Sequence, residues 1–510
     1  MAGPQPKRAG ANTAGESHVD RAGSAPSVPP PPQISVEEVT RLVKPLNHGH
    51  IIGIVSKAAQ IHPDINDVIR VMREKEQSRV LSGCSSDAFD DTFEEGEEDE
   101  DEDKDERSKN HDPNGLPCIT LCFGGYSDVG YDEINSSLID NIKILTMSDS
   151  FSKVLVSGGT GFVGSAIVRA LAQKYPDVAI IVIDQSPPRP QHVLPDNISC
   201  IQLDITSSEA VINAFRATKP NVVVHTGGLI PGLAERFGRQ LEQKTWKTNF
   251  EGTQNMLSAA QQTGVIAFVY TSTCCVVTDD TSNPHPNITE EWPSAVRSTI
   301  YGESKAAAEA LVLNASSSKL ATCALRPSVL CGPGDCQLLP PIHACISKYE
   351  TPFLIGDGLN LWDITHVSNV ADAHILAIEN LVSTRTAAGE SFFIQNNEPI
   401  TFRDLCLAIW AHFGHIPPIE LRIPESLAHF AGLACETVTR VMGTRTTLSR
   451  GTVRDACAIR YASGEKAKEI LGYEARMGIE EGIRLSCEDY ASRLGVKLPA
   501  ENTTRKIWPM

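Results

Sequence analysis

The stretch Lys153-Val-Leu-Val-Ser-Gly158-Gly-Thr-Gly161-Phe-Val-Gly164 decides the fold, because a short apolar run passes directly into a glycine-rich turn. Apolar residues at helical spacing follow in 165–175, and a second apolar run occupies 178–183. A strand, a helix and a second strand in this order predict a parallel unit that is buried on both faces. Glycines at such a turn allow the backbone N–H groups to approach a pyrophosphate at the helix N-terminus.

The turn therefore predicts a dinucleotide-binding site. Asp184 closes the second run, 20 residues beyond Gly164. A carboxylate there accepts hydrogen bonds from the adenosine ribose and repels a 2′-phosphate, so NAD is favoured over NADP. Taken alone, Asp184 is equally consistent with an aspartate that caps a loop, and its spacing from the glycines favours the ribose contact. We expect the cofactor to contact Gly158, Thr160, Gly161, Phe162, Val163, Gly164, Asp184, Asp204, Ile205, Lys305 and Pro327.

The alternation of strands and helices continues beyond Asp184. Apolar runs end at Asp204-Ile205, which we expect to lie against the adenine, at His225 and at Thr271, with helical segments between them. This alternation predicts a Rossmann-like α/β fold, a doubly wound parallel sheet with ligands at the carboxyl ends of its strands. We assign 150–330 to this core and 331–510 to a smaller C-terminal substrate-binding part that is interleaved with it.

A candidate acid/base pair lies in Tyr301-Gly-Glu-Ser-Lys305, which good helix formers continue. Residues four apart share one helical face, and an ammonium beside a phenol, together with a positive nicotinamide ring, favours the phenolate. Tyr301 is the proposed acid/base and Lys305 its partner. Thr273, in Tyr270-Thr-Ser-Thr273, is expected to donate a hydrogen bond to the substrate oxygen. Ser272 is the alternative, because only one of two successive strand residues faces the site.

Two further polar residues are more typical of structural roles. His225 ends an apolar run, and Tyr301 already supplies a base. Asn249 lies near the start of a helical segment, where it would hydrogen-bond backbone at the floor of the site. The 14 cysteines include none at zinc-site spacing, so we expect reduced thiols and no metal.

Residues 1–146, called the leader below, differ in composition from the rest. They hold 14 Lys/Arg and 27 Asp/Glu, a net charge of −13 of the −18 of the whole chain, with an acidic run at 94–106. We expect a mostly disordered acidic leader with one or two short helices, and a folded part that begins near Met147. No basic stripe indicates nucleic-acid binding, and the first 30 residues contain no apolar core typical of a secretory signal.

These motifs resemble the 3β-hydroxysteroid dehydrogenase family of extended short-chain dehydrogenases/reductases. The resemblance spans roughly 150–495 and includes Leu325-Arg-Pro-Ser-Val-Leu-Cys-Gly-Pro-Gly-Asp335 and Asp363-Ile-Thr-His-Val-Ser-Asn-Val-Ala-Asp-Ala-His374, the latter most similar to decarboxylating sterol-4α-carboxylate dehydrogenases. It implies NAD-dependent oxidation of a sterol 3β-hydroxyl, with loss of CO₂ from the β-keto acid. Thr273 stands where the family often has serine, and His225-Thr-Gly-Gly-Leu-Ile-Pro-Gly232 where it often has alanine.

Alternatives remain open at this stage. One is a nucleotide-sugar epimerase or dehydratase of the same superfamily, and another is a cofactor-bound scaffold whose acidic leader recruits partners. Residues 424–443 place apolar side chains on one helical stripe, typical either of a core-facing helix or of one that lies on a membrane surface. The sterol interpretation favours peripheral contact with the cytosolic side of the endoplasmic reticulum membrane, with the cytoplasm as the alternative. A homodimer is compatible with this interpretation.

Overall fold

The structure is a computed structural model that describes residues 151–499, except Leu233, 281–282, 294–298, 443–447 and the side chain of Arg440. The leader, with its acidic run and its predicted short helices, lies outside the described residues.

A seven-stranded parallel sheet forms the centre, in the order β12-β7-β5-β4-β1-β2-β3. Chain order reverses between β1 and β4, which is the switch point where ligands bind in open α/β sheets. The sequence-based prediction of a doubly wound parallel sheet is confirmed. The strands of this sheet are β1 Lys153–Ser157, β2 Ala179–Asp184, β3 Ser199–Gln202, β4 Val222–His225, β5 Ala267–Thr271, β7 Ala321–Pro327 and β12 Ser391–Ile394.

Helices cover both faces of this sheet. On one face α1 and α8 pack with α12, and on the other α2, α4 and α6 bury side chains such as Phe215, Met256 and Val312. The helices are α1 Phe162–Lys174, α2 Ser208–Thr218, α3 Glu242–Trp246, α4 Gly252–Thr263, α5 Cys275–Thr278, α6 Ile300–Asn314, α7 Leu339–Ser347, α8 Val367–Val382, α9 Phe402–His412, α10 Glu425–Met442, α11 Arg450–Cys457, α12 Glu465–Leu471 and α13 Ile479–Leu494, with a π-helical turn at Lys247–Glu251 between α3 and α4.

The later part of the chain adds smaller sheets and also returns to the central one. One sheet has four strands in the order β13-β10-β15-β6, and two have the paired strands β11-β8 and β14-β9. Because β12 completes the central sheet, the C-terminal residues are interleaved with the core. These strands are β6 His285–Ile288, β8 Val329–Cys331, β9 Phe353–Ile355, β10 Leu361–Trp362, β11 Ile364–His366, β13 Ile400–Thr401, β14 Leu421–Ile423 and β15 Arg460–Ala462.

Helix α10 presents its large apolar side chains to the solvent. Phe430 is 70% exposed and Val441 83%, whereas the buried positions are the small residues Ala428 and Gly432. A Cβ at Gly432 would lie 2.8 Å from the Ser449 carbonyl carbon, so the helix packs on the start of α11 through its small side. The interpretation of 424–443 as a core-facing helix is therefore wrong. Within the described residues, no helix is both long and apolar enough to cross a bilayer.

Replacing Gly164 by alanine tests the packing of α1 against the turn. A Cβ at Gly164 would lie 2.2 Å from the Gly158 carbonyl oxygen, which belongs to the backbone and cannot move aside, while one at Gly161 would lie 3.2 Å from it. We expect Gly164→Ala to lower the free energy of unfolding by about 1–3 kcal/mol in urea denaturation of the cofactor-free protein. Gly161→Ala is the matched control with a smaller loss, and equal losses would contradict this packing.

Candidate active site

The glycine turn lies at the switch point of the sheet. Gly158 has a φ of +69°, and its N–H donates to the Ile183 carbonyl on β2 at 2.8 Å. A Cβ at Gly158 would lie 2.7 Å from the Gly227 nitrogen, in the loop after β4. The loops after β1 and β4 therefore approach each other so closely that only glycine fits between them.

The N-terminus of α1 fits a pyrophosphate. Its N-cap is Gly161, no side chain hydrogen-bonds to the cap, and no acidic residue lies in the first turn. The backbone N–H groups of Phe162, Val163 and Gly164 at the helix start thus carry the partial positive charge of the helix without a side-chain anion to offset it. These residues, all predicted from the sequence, make a cradle that suits the diphosphate of a dinucleotide.

The ribose and adenine residues are predicted to lie at the ends of β2 and β3. Asp184 is the last residue of β2, and its carboxylate accepts from the backbone N–H groups of Thr160 at 3.2 Å and Ser186 at 3.1 Å. Asp184 thus also organises its own loop, as the alternative interpretation of it suggests. Ile205 is buried, with its Cδ1 3.3 Å from a Cβ placed on Gly227, whereas Asp204 is exposed and accepts from the Thr206 N–H.

The catalytic candidates lie at the same edge of the sheet. Ser157 pairs with His225, and His225 with Tyr270, so the residues that follow β1, β4 and β5 emerge side by side. Lys305, on α6, donates from Nζ to the Thr271 carbonyl at the end of β5 at 2.6 Å. Its ammonium also lies 4.2 Å from the centre of the Tyr270 ring. Burial lowers the pKa of Lys305 to about 7, against an opposing attraction to Glu309.

Tyr301 lies one helical turn before Lys305 and is partly buried. In the protein alone, burial raises the pKa of its phenol above the ordinary value of 10. A hydrogen bond with the Thr273 side chain and attraction to Arg236 act in the opposite direction. The shift is opposite to the one predicted from the sequence for the complete site, because burial outweighs the hydrogen bond with Thr273 and the attraction to Arg236.

The structure separates the two hydroxyl candidates that follow β5. Thr273 hydrogen-bonds with Tyr301 and accepts from the Cys275 N–H at 3.3 Å. Ser272 is also buried, but no described residue hydrogen-bonds to its hydroxyl. The geometry favours Thr273 over Ser272 as the group beside Tyr301. Pro327, at the end of β7, accepts from the Cys274 N–H at 2.9 Å and so holds this turn against the sheet.

His225 and Asn249 occupy structural positions. His225 is fully buried between the hydroxyls of Ser157 and Thr253, and burial lowers its pKa to about 3, so it stays neutral. Asn249 hydrogen-bonds to both the N–H and the carbonyl of Leu229 and donates to the Ser304 hydroxyl at 2.9 Å. Asn249 thus ties the loop after β4 to the helix that carries Tyr301 and Lys305.

Asp279 is a positioning residue that the sequence analysis missed. Its carboxylate accepts from both the N–H (2.8 Å) and the hydroxyl (2.7 Å) of Thr299, the N-cap of α6. Burial raises the pKa of Asp279 to about 8. In the sequence, Asp279 opens the polar segment Asp279-Asp-Thr-Ser-Asn283, which reads as a solvated turn and gives no signal of this contact.

A comparison with models of known protein families identifies the family of this chain. The sequence model of the 3-beta hydroxysteroid dehydrogenase/isomerase family matches residues 155–425, just over half of the chain. The chain belongs to this family. Among the described residues, no group of three His, Cys, Asp or Glu side chains is placed to hold a metal ion.

Proteins with sterol-specific names are similar to the chain over about two thirds of its length. It is 36% identical over 328 residues to the decarboxylating sterol-4-alpha-carboxylate 3-dehydrogenase of Schizosaccharomyces pombe, covering 64% of this chain and 94% of the yeast protein. It is 34% identical over 354 residues to the enzyme of the same name from Candida albicans, covering 67% and 98%.

Solved structures show the same fold at lower identity. The UDP-glucose 4-epimerase of Thermotoga maritima superimposes with a TM-score of 0.52 at 23% identity, over 67% of this chain and 99% of the epimerase. An epimerase from Methanothermobacter thermautotrophicus gives 0.54 at 21% identity, over 70% and 94%. At these identities the similarity extends to the fold alone.

The buried ammonium predicts a specific pH dependence of stability. Below the folded-state pKa of about 7, Lys305 is charged in both the folded and the unfolded protein, and burying the charge costs free energy. Between this pH and the unfolded-state pKa of 10.5, folding releases the proton of Lys305, so the cost falls as the pH rises. We expect the cofactor-free wild type to gain stability over Lys305→Met by up to about 1.4 kcal/mol per pH unit in this range.

Urea denaturation between about pH 7.5 and pH 9.5 measures this difference. Lys319→Met, which removes an exposed lysine, is the matched control and should keep a constant offset from the wild type. Parallel pH profiles for Lys305→Met and the wild type would show that the Lys305 ammonium is not desolvated.

Proposed function

We propose that this protein oxidises the 3β-hydroxyl of a sterol that carries a 4α-carboxylate, with NAD as the electron acceptor and loss of CO₂ from the product. The observation that carries the proposal is the placement of Tyr301, Thr273 and Lys305 around the end of β5, at the sheet edge that also bears the glycine turn. Family membership and the names of the similar proteins support the substrate class.

The residues present suit NAD. The uncapped start of α1 suits the diphosphate, and Asp184 ends β2 where an adenosine ribose would lie. A carboxylate at that position disfavours the additional phosphate of NADP. When bound, NAD⁺ would accept the hydride that leaves the carbinol carbon.

The protein's own residues supply the proton chemistry. Tyr301, as the phenolate, accepts the hydroxyl proton of the substrate, and Thr273 donates a hydrogen bond to the same oxygen as it becomes a carbonyl. The positive charge of Arg236 favours the phenolate, which burial disfavours.

Decarboxylation needs no further catalytic residue. Oxidation at C3 leaves a ketone β to the carboxylate, and the electrons of the breaking C4–carboxyl bond move toward the new carbonyl oxygen. The hydrogen-bond donors already placed at that oxygen, Thr273 and protonated Tyr301, then stabilise the developing enolate. Protonation at C4 gives the ketone.

A membrane surface is the proposed source of the sterol. Nine of the seventeen exposed large apolar side chains in the described part of the chain fall between residues 416 and 442, mostly on α10. Such an apolar face on a helix that also carries Glu425 and Glu436 suits peripheral contact rather than insertion across the bilayer. The cytosolic side of the endoplasmic reticulum membrane fits this proposal.

Replacing Tyr301 tests the function directly. We expect Tyr301→Phe to lower kcat for NADH formation from a 4α-carboxy-3β-hydroxysterol by about 10²–10⁴, because the acid/base is lost. Tyr349→Phe, at a tyrosine that is 84% exposed, is the control and should match the wild type. Equal turnover by Tyr301→Phe would contradict the role of Tyr301 as the acid/base. NADH that stays bound to the protein and never accumulates in solution would instead favour the reaction of an epimerase.

The membrane contact predicts a loss of vesicle binding. Phe430→Glu combined with Val441→Glu should lower co-flotation with phosphatidylcholine vesicles about tenfold or more, because acidic side chains replace apolar ones at the contact. Val496→Glu makes the same kind of change at an exposed residue outside α10 and should bind as the wild type does. Unchanged flotation of the double variant would exclude α10 as the contact.

A further inference from the structure

The loop between β2 and β3, residues 185–198, places a histidine ring between two backbone carbonyls. His192 is only 4% exposed. Its Nδ1 lies 3.2 Å from the carbonyl oxygen of Thr160, and its Nε2 lies 3.0 Å from that of Gly334. Thr160 belongs to the glycine turn, and Gly334 to the loop after β8. The ring therefore joins the turn that suits a diphosphate to the C-terminal part of the chain.

Both contacts of His192 are hydrogen bonds only if the ring carries two protons. A neutral imidazole has one N–H group, so its second nitrogen would direct a lone pair at a carbonyl oxygen. An imidazolium donates from both nitrogens. Turning the ring over does not remove the conflict, because Cδ2 and Cε1 would then face the two carbonyls. The contacts of His192 thus favour the charged form.

Close packing fixes the position of the ring. Gly334 has a φ of +91°, and a Cβ there would lie 2.9 Å from Cδ2 of His192. The ring of Phe162, at the start of α1, has its centre 6.2 Å from that of His192. The backbone N–H of His192 donates to the Arg189 carbonyl at 2.8 Å. The ring is therefore held by α1, by its own loop and by the loop after β8.

The charged groups around the ring balance one another and leave none for an imidazolium. In the described part of the chain, no carboxylate hydrogen-bonds to the His192 ring itself. The titratable groups on the elements packed around it are Asp184 on β2, Arg169 on α1, Arg189 in the loop, Asp335 and Cys336 after Gly334, and the pair Asp489 and Arg493 on α13. These are three carboxylates and three guanidinium groups beside one thiol. A bound anion would therefore supply the negative charge that the imidazolium lacks.

We propose that His192 is a positioning residue of the dinucleotide site, which holds Thr160 as the imidazolium and takes up a proton when the diphosphate binds. This inference concerns the cofactor and goes beyond the oxidation proposed above. The diphosphate is an anion that would lie at the turn containing Thr160. It favours the charged ring, and by reciprocity the charged ring favours the diphosphate.

Binding of ADP-ribose measures this coupling, because ADP-ribose carries the diphosphate but not the nicotinamide ring. Isothermal titration calorimetry of the full chain in two buffers with different ionisation enthalpies counts the protons taken up on binding. We expect proton uptake by the wild type between about pH 6 and pH 8, the range in which histidines change charge. The Kd should rise with pH in this range, by at most about tenfold per pH unit.

His192→Gln keeps a hydrogen-bond donor but has no group that titrates. At about pH 6 we expect it to bind ADP-ribose roughly tenfold more weakly than the wild type, and the difference should shrink toward pH 8. Comparison of the two proteins separates the ring from other groups that titrate in this range, such as Lys305. His412→Gln, at a partly buried histidine that ends α9, is the matched control and should take up protons as the wild type does.

The outcomes separate this inference from the proposed function. Wild type that binds no ADP-ribose would refute the dinucleotide site and, with it, the NAD-dependent oxidation. Wild type that binds ADP-ribose without proton uptake, or with the same uptake as His192→Gln, would refute the role of His192 alone. A thermal melt establishes that each variant is folded. If His192→Gln does not fold, His192→Asn, a smaller neutral replacement, carries the same comparison.

Discussion

The hydrogen bond from the Lys305 ammonium to the Thr271 carbonyl is the interaction on which the site depends. It joins α6 to the end of β5 and so fixes Tyr301, one turn earlier, beside Thr273. The bond is costly to maintain, because burial lowers the pKa of Lys305 to about 7. The Tyr270 ring and the nearby Glu309 offset part of this cost.

Five of the seven strands of the central sheet could be predicted from the sequence, whereas β7 and β12 were not. The observed β1, β4 and β5 match the apolar runs, because parallel strands buried on both faces are continuous apolar segments between polar ends. The glycine turn could also be predicted from the sequence, because Gly158 and Gly164 lie so close to backbone atoms that no Cβ fits there. Short-range backbone geometry and burial on two faces leave a strong signal in a single sequence.

Contacts between distant segments left no such signal. Asp279 and Thr299 are twenty residues apart, and nothing in either segment indicates that a carboxylate would fix the start of α6. The orientation of α10 was also undetermined, because an apolar stripe looks the same whether it faces a core or the solvent. Packing through Ala428 and Gly432 decides it.

These long-range contacts connect the apolar surface to the acid/base. Helix α10 exposes its large side chains and packs on α11, and α11 begins beside Phe237, in the loop whose Arg239 pairs with Glu303 on α6. Packed elements thus lead from α10 to α6, the helix that carries Tyr301 and Lys305. This connection suits the proposed substrate, which has a large hydrocarbon body and a polar end, because the body can remain against apolar surface while the polar end reaches α6.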